Sequence, residues 1–166
     1  MLLSTNHEVN MSEKILNEMD LEPIMVKVMD AEEGLGWSLE FTKRVAVEYR
    51  KYLVLCKEYP DAAVVPSSFV DDFWHFHILD TQKYQEDCEH YFGYFLHHFP
   101  YFGMRGKEDE ENLKAAWAES CTLYENRFGA LPTDLWLASK RCPNCGRRCK
   151  SIKYAMDQRP RLAVAA

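Results

Sequence analysis

No apolar run in the 166-residue chain approaches the ~18–20 residues that a membrane-spanning helix needs. The first residues, Met1-Leu2-Leu3-Ser4-Thr5-Asn6-His7-Glu8, carry neither a basic stretch nor a long apolar one, so no secretion signal is expected. A basic excess is missing too. The formal net charge is −6, which argues against a nucleic-acid-binding surface. Also absent are a phosphate-cradling glycine loop, the Ser-His-Asp order of a hydrolase and the zinc-protease string H-E-x-x-H. No internal repeat or low-complexity tract is visible. These absences lead to the expectation of a cytoplasmic protein that uses neither membrane nor nucleic acid, of a length that suits one domain.

Hydrophobic residues make up 47% of the chain and aromatics 13%, enough for a sizeable core, and the apolar spacing is helical. Ser12 can cap a short first helix, and Pro23 opens a second apolar turn that Gly34 and Gly36 end. Ser38 reads as the N-cap of a long helix to about Glu58, with Phe41, Val45, Tyr49, Tyr52 and Cys56 on one face and Pro60 as its stop. A second long helix is expected from about Glu108 to Phe128. Leu113, Ala116, Trp117, Cys121, Tyr124 and Phe128 form its stripe, acidic residues load its first turn, and Gly129 follows it. Thr133-Asp134 could cap one more short helix through Ser139. The expected fold is all-α. Residues 1–11 are read as frayed, 12–140 as a histidine-rich helical domain, 141–156 as a Cys-rich knuckle and 157–166 as a flexible tail.

Five of the six histidines, His75, His77, His90, His97 and His98, fall within 24 residues, beside Asp71, Asp72, Asp87 and Cys88. Neutral imidazole and carboxylate together are the usual ligands of zinc, iron and copper. The segment around the first pair fits two structures. As a helix capped by Ser67 or Ser68, it makes Asp71 and His75 i,i+4 neighbours and points His77 about 200° away. As a strand, it would put Asp71, His75 and His77 on one side. The capping residues favour the helix. Asp71 could then take the imidazole N–H of His75 and fix its tautomer. Thr81 to Tyr91 reads as the next helix, capped by Asp80 or Thr81 and ended by Gly93, with Tyr84 and Cys88 on one face and Asp87 and His90 on an adjacent one. His97 and His98 follow, near a turn that Pro100 and Gly103 close. Without a metal, the aromatics of this region would be core and the histidines would fill polar gaps with hydrogen bonds.

The string Val70-Asp71-Asp72-Phe73-Trp74-His75-Phe76-His77-Ile78-Leu79, with Tyr84, Asp87-Cys88 and Phe92-Gly93 downstream, resembles the glycine-rich domain-containing protein-like family in its compact bacterial form. The resemblance singles out Asp71, Trp74, His75, His77, Tyr84, Asp87, Cys88 and Gly93 as signature positions. It implies a shared helical domain and no particular ligand set. The glycine-rich region of the larger members is missing here.

Cys142-Pro143-Asn144-Cys145-Gly146 has the form of a zinc knuckle, and Cys149 offers a third thiolate. A fourth ligand would have to be Cys121, a histidine or a second chain. A redox pair is the other reading, although no thioredoxin-like pattern precedes it. The surrounding basic residues favour thiolates and could dock a protein partner. Cys56, Cys88 and Cys121, scattered among apolar residues, read as small buried hydrophobes.

Two functions are expected from these residues. The first is a small iron- or copper-dependent oxidase or oxygenase acting on a small molecule or peptide. Its metal ligands would come from His75, His77, His90, His97 and His98, with Asp71 and Asp87 orienting ligands or moving protons and Tyr84 lining the pocket. The second is a non-catalytic helical adaptor braced by zinc.

Overall fold

Ser38 does what its sequence position suggests. Its Oγ accepts from the Phe41 N–H at 3.2 Å and opens a helix that runs Leu39–Glu58. Residues 11–137 and 154–162 are described by the computed structural model, and all regular structure among them is helical. In chain order the helices are α1 (11–17), α2 (Glu22–Met29), α3 (Leu39–Glu58), α4 (Ser68–Leu79), α5 (Thr81–Phe92) and α6 (Lys107–Phe128). Three sequence expectations change in detail. Ser12 lies inside α1, buried, rather than ahead of it. Thr133 to Leu135 form a turn, with the Leu135 and Trp136 N–H groups on the Pro132 carbonyl, and residues 136–137 have no regular structure where a helix was expected. Tyr154 and Met156, placed in the knuckle by sequence, pack against the body of the protein. Residues 1–10, 138–153 and 163–166, and with them the proposed ligands Cys142, Cys145 and Cys149, lie outside the described residues.

α4 sits between α2, α3 and α5, and α3 also packs on α6. One large core gathers Tyr49, Tyr52, Leu53 and Leu55 of α3 with Phe73 and Trp74 of α4 and Tyr84 and Cys88 of α5. Burial of this much apolar and aromatic surface is the main drive to fold. A smaller cluster of Val65, Phe99, Phe102, Ala116 and Met156 pins the loop between α5 and α6 onto α6.

Buried polar groups tie the elements together. Glu48 on α3 is almost fully buried, yet it receives Tyr124 Oη and Trp136 Nε1, each at 2.7 Å, and Lys51 Nζ at 2.9 Å. Those three donors balance the cost of burying its charge. Ser120 on α6 has 0% exposure and bridges to the 63–65 segment, accepting from the Val65 N–H at 2.8 Å and donating to Ala63 O at 3.2 Å. Ser120 is fully buried in line with Ala116 and Tyr124, whereas the neighbouring Cys121 is only half-buried.

Candidate metal centre

α4 begins as a capped helix. Ser67 Oγ accepts from the Val70 N–H at 3.3 Å, and Asp71 lies in the first turn, where the helix dipole favours a carboxylate. Helical rotation then separates the two histidines that a strand would have paired. His75 faces outward toward the α5–α6 loop, with about a third of its side chain exposed, while His77 is buried.

Three side chains converge on the outward side of α4. His98 Nε2 lies 3.1 Å from Asp71 Oδ1 and 2.9 Å from His75 Nε2, and His75 Nε2 lies 3.4 Å from Asp71 Oδ2. Each imidazole nitrogen holds either one proton or one lone pair. A proton on His98 Nε2 can satisfy Asp71, but His75 must then share that same proton. A second proton on His75 Nε2 would set two N–H groups against each other. One cation between them would take a lone pair from each of the three groups. Ligand bonds of ~2.1 Å place cis donors ~3.0 Å apart and tetrahedral donors ~3.4 Å apart, which spans the observed separations. Among the described residues this is the group of His, Cys, Asp and Glu side chains that could hold a metal ion. Two imidazoles and one carboxylate suit zinc, or a non-haem iron site with open positions.

The shell behind these donors is aromatic and dry. The Trp74 ring, with 0% exposure, lies 4.6 Å from the His98 ring. Trp74 Nε1 donates to Tyr84 Oη at 3.0 Å, and Tyr84 in turn donates to the carbonyl of Leu96, two residues before His98. The Tyr84 phenol thus fastens the loop that carries His98. Burial pushes its pKa far above the ordinary tyrosine range, and its one proton is committed to a carbonyl. Asp72, beside the site, is raised by its own burial and by the Asp71 charge.

The remaining sequence candidates go elsewhere. His77 makes no approach to the trio, because both ring nitrogens are engaged: Nδ1 with Tyr49 Oη at 2.7 Å and Nε2 with Asp87 Oδ2 at 2.8 Å. If Nε2–H donates to the carboxylate, Nδ1 accepts from Tyr49. Asp87 also pairs with Lys83 at 3.1 Å. Burial raises its pKa, but the bonds from His77 and Lys83 outweigh it, and the carboxyl ends below its usual range. His90 is exposed on α5 against Tyr91, and His97 is exposed against Phe95. Asp71, expected as an orienting group behind His75, instead stands within direct reach of the shared centre, level with His75 and His98.

The family profile that matches the chain spans residues 11–133. The chain belongs to the UCP032817-like family. This corrects the likeness to the glycine-rich domain-containing protein-like family, which rested on motifs between Val70 and Gly93, whereas the UCP032817-like match takes in all six helices. No curated protein and no solved structure matches the chain. The helical domain with its Asp71, His75 and His98 group lies wholly inside the stretch that the UCP032817-like profile covers.

Proposed function

We propose that this UCP032817-like protein binds one transition-metal ion through Asp71, His75 and His98 and uses it as a small metal-dependent oxidase or oxygenase. The observation that carries the reading is the mutual approach of three donor atoms, two imidazole nitrogens and a carboxylate, at 2.9 to 3.4 Å. An ion there would supply Lewis acidity or, as iron or copper, electrons for dioxygen. Two imidazoles and a carboxylate leave coordination positions open, and the partial exposure of His75 leaves them an approach from solvent. The chain's own residues would position the centre: Asp71 and His75 from a capped helix, and His98 through Trp74 and the Tyr84–Leu96 bond. A small molecule or a peptide end is the expected substrate.

A second reading has its own support. Asp71 and His75 come from α4 and His98 from the loop, so an ion would cross-link them, as zinc does in a braced, non-catalytic adaptor.

Elemental analysis of protein purified without a His-tag or chelator separates the two. About one iron or copper per chain, lost in Asp71→Asn and His98→Ala while the helical circular dichroism is retained, supports the enzyme. Zinc alone, with variants that lose metal and stability together, favours the adaptor. A metal-free protein that takes up no iron, copper or zinc on titration would defeat both.

A further inference from the structure

An apolar groove of about 620 Å³ runs between α2 and the start of α3, lined by Met25, Val26 and Met29 of α2 and Leu39 of α3, with Glu22, Asp30 and Lys43 at its edges. None of these residues belongs to the metal centre. Val26 is 65% exposed and Leu39 49% exposed, an unusual amount of free aliphatic surface for a helix pair that otherwise buries Ile24 and Val28. Two half-buried methionines line the wall. Unbranched, polarisable thioethers re-pack readily around an incoming apolar side chain.

The rim has a definite sign. Residues 18–40 carry seven exposed carboxylates and a single lysine. That lysine, Lys27, is already paired with Glu33. Asp30 accepts the backbone N–H groups of Glu32 and Glu33 at 3.0 and 2.7 Å, which keeps its carboxyl low and ionised. Of these carboxylates Glu22 and Asp30 line the groove itself, so its α2 side is negative. Lys43 stands on the α3 wall as the one cation lining it.

We propose that this groove is a docking site for a basic amphipathic helix of a protein partner. Apolar side chains at i, i+3 or i+4, and i+7 would enter between Val26, Met29 and Leu39, with lysines or arginines against Glu22 and Asp30. A neutral or acidic residue would meet Lys43. Methionine-lined apolar floors under acidic rims suit this ligand chemistry because dispersion holds the apolar face while charge selects the sign of the polar one.

The test uses the full chain and a fluorescein-labelled leucine–lysine peptide of ~14 residues, written with helical periodicity, and reads anisotropy. Saturable binding is expected, weakened about tenfold by Val26→Ser or Leu39→Ser and weakened, with a flatter salt dependence, by Glu22→Lys. A peptide of the same composition in scrambled order should bind about tenfold less tightly. Both serine changes fall on exposed positions, and circular dichroism checks their fold. Failure to bind the periodic peptide, equal binding of the scrambled one, or indifference to both serine variants overturns the proposal. So does a dimer in sedimentation equilibrium that Val26→Ser dissolves, which would assign the groove to a second copy of this chain.

Discussion

His75 and His77 stand two positions apart on one helix and meet different chemistry, because ~200° of rotation separates them. His77→Ala would leave the buried Tyr49 Oη without its partner, a loss of about 1–3 kcal/mol, while Asp87 keeps its pairing with Lys83. Urea unfolding should report that loss while metal content stays unchanged. His75→Ala should do the reverse, lowering metal content with little change in the unfolding midpoint of the metal-free protein. Tyr84→Phe is the matching test of the loop brace. It strands the Trp74 N–H and the Leu96 carbonyl, costs about 1–3 kcal/mol for each, and should weaken metal binding through displacement of His98.

A second residue-scale prediction concerns acid. Asp109 is buried enough for desolvation to raise its pKa, but bonds from Arg105, from the Gly103 N–H and from the Arg105 N–H bring it below the ordinary value. A group whose pKa is depressed on folding contributes stability above its unfolded pKa and loses it as pH falls through the folded one. Asp109→Asn should therefore unfold more easily than the parent near neutrality. The gap should begin to close below pH ~4 and vanish at more acid pH. A constant gap across a pH series of urea titrations would contradict this account.

At the scale of elements, the caps carry testable weight. Ser67→Ala removes the side-chain acceptor at the start of α4 and should cost about 1 kcal/mol. Gly93 ends α5 at φ 75° with nothing within 4 Å of an added Cβ. Gly93→Ala should therefore cost about 1–2 kcal/mol from backbone conformation alone, measurable by thermal or urea unfolding. These elements were readable in sequence because caps and apolar spacing agree: Ser38 and Ser67 cap the helices they were expected to, and Asp80 accepts from the Lys83 N–H at 3.2 Å to cap α5. The α4 segment alone fitted both periods. Nearly every residue from Val70 to Leu79 is apolar or histidine, so alternation and helical spacing were both satisfied, and capping decided between them.

On the scale of the whole molecule, α4 lies at the centre of the helical packing and carries two of the three candidate ligands. Metal binding should thus be felt globally. An ion present at ~100 times its dissociation constant stabilises the native state by about 2.7 kcal/mol, so the melting temperature should rise on adding iron(II) or zinc. The Asp71→Asn, His98→Ala double variant should show no rise.

The positions of α2 to α6, the caps at Ser38, Ser67 and Asp80, the gathering of histidines and the i,i+4 pairing of Asp71 with His75 were contained in the sequence, because each is set by residues within a turn or two of one another. No helix among the described residues is long and apolar enough to cross a membrane, again a property of local composition. The choice of His98 over His97 was not contained there. Both sit in irregular chain, where no period assigns a face. That choice depends on Tyr84 holding Leu96, and on Phe99 and Phe102 anchoring the loop to α6, contacts made between segments far apart in the chain. The same holds for His77, whose partners Tyr49 and Asp87 belong to two other helices. Local spacing names the residues able to bind, and only packing between distant segments decides which of them share a centre.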